Sequence, residues 1–188
     1  MARIDATKVL KKFDHARAAA LAGNVEGIHD LRVCARRLRV WARFAGETSL
    51  ADELRWVCRS LSSLRDLDVV DAALTDEARA LLRPPAIQLV RSALASARCD
   101  ALRSRLDAVK PPKEKKAKRL LEKLEAQLGQ RKVKLEDESL HAWRRALREV
   151  RHTREWLGLD TKELEHAQRW LGALNDLSTL LAIASRRE

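Results

Sequence analysis

Apolar residues recur at three- and four-residue steps along most of the chain, which predicts helices throughout and no strand. Helix-ending Gly and Pro residues and N-capping residues place the limits of these helices. The predicted helices span roughly 2–22, 24–46, 49–64, 67–82, 86–110, 113–129, 137–157, 161–175 and 176–185. We therefore expect an all-α protein of eight or nine helices.

One predicted helix has an unusual polar face. The segment from His29 to Arg43 contains no Gly or Pro, and its apolar residues recur at helical steps. At about 100° per residue, its basic residues fall within an arc of roughly 80° and extend over about 21 Å. They are His29, Arg32, Arg36, Arg39 and Arg43, here called the first stripe. Such a stripe repels itself, so folding alone does not account for it.

The same register returns later in the chain. His141, Arg144, Arg148 and Arg151, here called the second stripe, repeat the spacing of the first four members of the first stripe. A second pair of similar segments follows in the same order, Leu61–Leu67 and Leu171–Leu177. Two ordered matches predict an internal duplication, with two similar helical bundles.

The limits of the two predicted copies follow from the prolines. Pro84 and Pro85 are expected to end the first copy, at about residues 1–83, and Pro111 and Pro112 precede the second copy, at about 113–188. A single connecting helix is expected between them, at about residues 86–110.

These motifs resemble a known family. The run from His29 to Arg39, the segment Arg65–Val69 and the second copy from His141 to Arg151 are similar to the CHAD domain, the conserved histidine α-helical domain. The resemblance covers nearly the whole chain, as a single domain over residues 1–188. It implies two similar bundles related by a pseudo-twofold axis, whose basic helices line a shared surface that binds inorganic polyphosphate without catalysis. It leaves an association with polyphosphate granules open.

The residues themselves fit this chemistry. Arginine stays charged and offers a planar fork of donors that matches phosphate oxygens, so a row of arginines can follow a line of phosphates. We expect the direct contacts to come from the second stripe and from the first four residues of the first stripe, His29, Arg32, Arg36 and Arg39. Three neighbouring basic residues are secondary candidates: Arg37 and Arg145, together with Arg43 at the end of the first stripe.

Charge composition agrees with a polyanionic partner. Lys and Arg number 38 against 27 Asp and Glu, a formal net charge of +11. Charge alone does not choose among a phosphate polymer, nucleic acid and an anionic membrane. The first alternative is a nucleic-acid-binding protein, although the stripes lack the amide and aromatic residues that read or stack on bases. The second alternative is an adaptor whose basic face binds an acidic protein. Nonspecific binding of nucleic acid at low salt is expected in any case.

Other chemistry has little support in the sequence. We find no phosphate-binding loop, no nucleophile with an adjacent base and no acidic cluster that would hold Mg²⁺, so we expect no enzyme and no cofactor. A zinc site on His29 and His141 would lack further ligands in register. Three widely spaced cysteines are expected to be reduced and buried. The start of the sequence has no apolar run, and no stretch reaches about 18 apolar residues, so we expect a cytoplasmic protein without membrane contact.

The five tryptophans lie within apolar helical patterns, which predicts that they pack in the core. They are Trp41, Trp56, Trp143, Trp156 and Trp170.

Overall fold

The computed structural model describes residues 3–71, 74–131 and 137–184, and its regular elements there are helices. The helices are α1 (Thr7–Leu21), α2 (Val25–Ala45), α3 (Thr48–Ser60), α4 (Ser62–Val70), α5 (Asp76–Leu94), α6 (Ala97–Ala108), α7 (Glu114–Gly129), α8 (Asp137–Trp156) and α9 (Lys162–Ala184). The all-α prediction is confirmed. The predicted internal duplication stays a prediction.

The chain divides into two compact units. The N-terminal unit is Arg3–Pro112, with α1 to α6, and the C-terminal unit contains the chain from Lys113 onward, with α7 to α9. Each unit has its own packed helices, so each is described by itself.

The N-terminal unit is built around α2. This helix starts where Asn24 caps it, because the Asn24 side chain accepts a hydrogen bond from the Gly27 N–H at 3.0 Å. It ends at Gly46, whose φ of 85° is a conformation that glycine adopts without strain. Helix α2 packs against α1 and α3 through residues that are almost completely removed from solvent. These include Phe13 of α1, Leu31, Leu38 and Trp41 of α2, and Leu54 of α3.

Polar contacts connect parts of the N-terminal unit that are distant in sequence. The Trp41 indole N–H donates to the Ile4 carbonyl at 2.9 Å, and the Ile4 N–H donates to the Pro112 carbonyl at 3.0 Å. Arg17 of α1 donates through Nε to the Leu94 carbonyl at the end of α5, at 3.0 Å. The beginning and the end of this unit are therefore held together by hydrogen bonds.

The C-terminal unit has a smaller core. Leu121 and Leu124 of α7 pack with Val150 of α8, and Leu164 of α9 lies against this cluster. Arg154 of α8 donates through Nε to a Glu125 carboxylate oxygen at 2.8 Å, which links α8 to α7.

Two predictions about the middle of the chain are wrong. Pro84 and Pro85 do not end a helix, because both lie inside α5. The expected helix over residues 86–110 is interrupted after Leu94, where the Ser96 side chain accepts the Cys99 N–H and starts α6.

Two helix limits also differ from the sequence-based prediction. The chain breaks between α3 and α4 at Leu61, a few residues before the break expected between residues 64 and 67. Helix α9 continues to Ala184 where two helices were expected, and Ser185, the predicted end, lies outside the described residues.

The tryptophans divide between the core and the surface. Trp41 is buried, whereas Trp56, Trp143 and Trp156 are half-buried. Trp170 is 64% exposed, so its predicted place in the core is wrong, and its indole N–H donates to His166 Nε2 at 2.8 Å. The cysteines carry no disulfide, and Cys34 and Cys99 are buried as predicted, whereas Cys58 is only partly buried. In the part of the chain that is described, we find no helix with the length and apolar character needed to cross a membrane.

Candidate anion-binding helices

The first stripe lies on α2, along the polar side of the most deeply buried helix of the N-terminal unit. His29, near the start of α2, is exposed, whereas the four arginines of the stripe and their neighbour Arg37 are half-buried. Burial of the apolar face fixes the rotation of α2, so this rotation determines where the basic residues point.

The arginines of the first stripe are used differently. Arg32 donates from Nη1 to the Cys58 carbonyl at 3.1 Å and to the Ser62 hydroxyl at 3.2 Å, so it connects α2 with the junction of α3 and α4. By contrast, Arg39 makes no hydrogen bond and no ion pair with any residue that the structure describes. Sequence reasoning treated these two residues as equivalent.

The far end of the first stripe is crowded with positive charge. Burial lowers the pKa of the Arg39 guanidinium, and the neighbouring charge of Arg55 lowers it further. Burial likewise lowers the pKa of Arg43, and the charges of Arg39 and Arg55 add to this effect. Arginine remains protonated in spite of such shifts. They mean that the charged state is unfavourable here and that a bound anion would relieve it.

Arg55 was not among the residues predicted from the sequence. It lies on α3 and its Nη1 is 3.4 Å from an Asp52 carboxylate oxygen, with both side chains more than half exposed. No periodicity within α2 could reveal it, because its position depends on how α3 packs against α2.

The second stripe lies on α8 in the C-terminal unit. His141 and the secondary candidate Arg145 are exposed, while Arg144, Arg148 and Arg151 are half-buried. Arg144 lies against α9, where a side-chain carbon added to Gly172 would be 3.6 Å from Arg144 Nη2. All predicted site residues therefore lie on α2 or α8.

Acidic groups accompany the second stripe. Arg151 Nη1 is 3.4 Å from Glu155 and 3.9 Å from Glu165 of α9. Glu155 follows Arg151 by one helical turn, a spacing that the sequence displays, whereas Glu165 approaches only through folding. The second stripe is thus partly neutralised at Arg151.

A cavity of about 620 Å³ lies between α7, α8 and α9, and its lining includes no residue of the second stripe. Apolar side chains such as Trp143 and Leu164 line it together with the ion-paired Arg154 and Glu125. Its charges of both signs distinguish it from a polyanion site. Among the described residues there is also no group of three or more His, Cys, Asp or Glu side chains placed to hold a metal ion.

Comparisons with known proteins agree on one family. The model of the CHAD domain matches residues 5–184 of this chain. A crystal structure of the CHAD domain from the plant Ricinus communis matches with a TM-score of 0.72 at 22% sequence identity, covering 96% of this chain and 76% of that chain. At that identity the structural match speaks for the fold alone. No curated protein matches the chain.

Proposed function

The chain belongs to the CHAD domain family, and we propose that it binds inorganic polyphosphate, without catalysing a reaction, through the arginines of α2 and α8. Cytoplasmic localisation is part of the same proposal. The observation that carries it is the row of half-buried arginines on one side of α2, where burial and neighbouring arginines lower the pKa values of Arg39 and Arg43. A bound anion would offset the repulsion among these arginines.

The shape of the stripe favours a linear anion. Phosphates in a linear polymer repeat at a few ångströms, comparable with the helical pitch of about 5.4 Å. Arginines at three- and four-residue steps can therefore contact successive phosphate groups of one chain. Each guanidinium fork donates to non-bridging oxygens, which every phosphate of the polymer offers. Bases contribute nothing to such contacts, which distinguishes this proposal from a nucleic-acid-binding function.

The test is a competition at physiological salt. Long-chain polyphosphate competes against single- and double-stranded nucleic acid of matched charge for the wild type and for the double variant Arg36→Gln with Arg148→Gln. A control variant, Arg59→Gln with Arg131→Gln, removes the same charge from exposed positions outside both stripes. We expect the wild type to prefer polyphosphate and the stripe variant to lose about tenfold or more in affinity, as for charge-assisted hydrogen bonds.

Two results would contradict the proposal. Equal affinity of the wild type for every polyanion would indicate a general basic surface, which is the nucleic-acid alternative. An equal loss in the stripe variant and in the control would show that net charge, and not the stripes, determines binding.

A further inference from the structure

The two ends of the first stripe have different roles in the fold. Near the start of α2, Arg32 uses its donors on the Cys58 carbonyl and the Ser62 hydroxyl. Nearly two helical turns before the C-terminal end of α2, the half-buried Arg39 has no hydrogen-bond or ion-pair partner within the described ranges. Partial burial removes some of the water that would solvate this charge, which is unfavourable when no protein acceptor replaces it. This cost is offset if a ligand supplies the acceptors.

Two further arginines add their positive charge next to Arg39. Arg43 follows Arg39 by one helical turn, on the same side of α2. Arg55 approaches both from α3, and its charge acts on each of them. The acid nearest to Arg55 is Asp52, at 3.4 Å. Since both of these side chains are more than half exposed, this ion pair is weak and screened. This ion pair therefore leaves most of the positive charge of Arg55 available to an anion.

We propose that Arg39, Arg43 and Arg55 form a phosphate subsite, in which α3 supplies a contact that the stripe on α2 lacks. The subsite binds one or two successive phosphate groups, whose non-bridging oxygens accept from the guanidinium forks. This inference rests on the proposed function and adds to it the place of tightest contact and a new contact residue. It also predicts that Arg32, whose Nη1 already donates to Cys58 and Ser62, contributes less to direct binding than Arg39 does.

Tripolyphosphate tests the subsite because it spans only a few phosphate groups. Titration calorimetry on the full chain compares the wild type with Arg55→Gln and Arg59→Gln. Arg59 is the matched control, since it is an exposed arginine one helical turn further along α3 and does not contribute to the shifted pKa values of Arg39 and Arg43. We expect about a tenfold loss of affinity for Arg55→Gln and less than about threefold for Arg59→Gln.

Two further variants strengthen the test. Arg55→Lys keeps the charge and removes the planar fork, so it should recover only part of the lost affinity. Asp52→Asn removes the competing carboxylate and should tighten tripolyphosphate binding about threefold. Both positions are more than half exposed, so the variants should fold, and far-UV circular dichroism verifies this.

The outcomes separate the subsite from the function. Equal losses for Arg55→Gln and Arg59→Gln, while long-chain polyphosphate still binds the wild type, would overturn the subsite and leave the proposed function intact. If the wild type binds neither long-chain polyphosphate nor tripolyphosphate, the proposed function fails and the subsite fails with it.

Discussion

At the scale of single residues, His152 of α8 is the most confined titratable side chain described in the C-terminal unit, with 2% exposure. Its Nδ1 lies 3.0 Å from a Glu155 carboxylate oxygen, and its Nε2 is buried without a hydrogen-bond partner in the described segments. Burial lowers the pKa of His152, Glu155 acts in the opposite direction, and Arg151 and Arg148 lower it further. The histidine is therefore held neutral in the folded protein.

This residue gives stability a pH dependence. Because the folded pKa lies below the unfolded value of about 6.5, the unfolded chain binds more protons as the pH falls below that value. The free energy of unfolding should decrease there, by at most about 1.4 kcal/mol per pH unit for one group. Urea unfolding between pH 5 and 7.5 measures this slope. His152→Gln should flatten it, whereas His15→Gln, at an exposed position, should leave it unchanged. An unchanged slope in His152→Gln would contradict the assignment.

Residue contacts also explain why the sequence predicted the site only in part. The two stripes were found because helical periodicity determines which residues share a face of one helix. Periodicity within α2 says nothing about α3, so it could not find Arg55. Nor could it distinguish Arg32 from Arg39, because the acceptors of Arg32 at Cys58 and Ser62 lie 26 and 30 residues away in sequence. Contacts between helices depend on how the helices pack, and the sequence within one helix does not reveal this packing.

At the scale of helices, the close approach of α1 and α2 depends on Gly27. A side-chain carbon at this position would lie 2.6 Å from Ala19 Cβ and 2.9 Å from the backbone nitrogen of Ala20. Both distances are far below normal van der Waals contact. Any side chain at this position therefore forces the two helices apart.

Gly27→Ala should lower the free energy of unfolding by about 1–3 kcal/mol, as overpacking does, even though alanine favours a helix more than glycine does. Gly129→Ala is the matched control, because no atom lies within 4 Å of the added carbon at the end of α7. That variant should be neutral or gain up to about 1 kcal/mol. Chemical unfolding of both variants measures the difference. Equal stability of the two would show that α1 and α2 adjust freely.

Helix limits were predictable where the signal was local. Asn24 and Gly46 marked the ends of α2 correctly, because capping is a property of a few adjacent residues. Pro84 and Pro85 were wrongly taken to follow a helix end, because proline disfavours a helix locally. The interactions that keep α5 intact are not local. Arg83 Nη2 lies 2.9 Å from Asp68, and Arg79 Nε lies 3.0 Å from Asp71. These ion pairs attach the first turns of α5 to the region of α4, and they offset the missing proline donors.

At the scale of the whole molecule, the chain divides after Pro112. The N-terminal unit holds the first stripe, Arg55 and a core of its own, and hydrogen bonds join its ends. A segment that has its own hydrophobic core, and whose two ends are joined by hydrogen bonds, is expected to fold independently.

We predict that residues 3–112 fold when expressed alone. The fragment should show helical circular dichroism and a cooperative thermal transition, and it should bind tripolyphosphate within about threefold of the full chain, since the subsite lies entirely inside it. A fragment with a broad, non-cooperative transition would contradict the assignment of an autonomous unit. A folded fragment that lacks tripolyphosphate affinity would instead place the tightest contact elsewhere.

The crowded arginines at the end of α2 also have a consequence for the life of the protein in a cell. Repulsion among Arg39, Arg43 and Arg55 raises the free energy of the empty fold, and a bound polyanion removes that cost. Unfolded chains are the substrates of cellular proteases, so the bound protein would be degraded more slowly than the empty one. Under the proposed function, the amount of this protein would therefore rise and fall with the supply of its ligand, without any change in its synthesis.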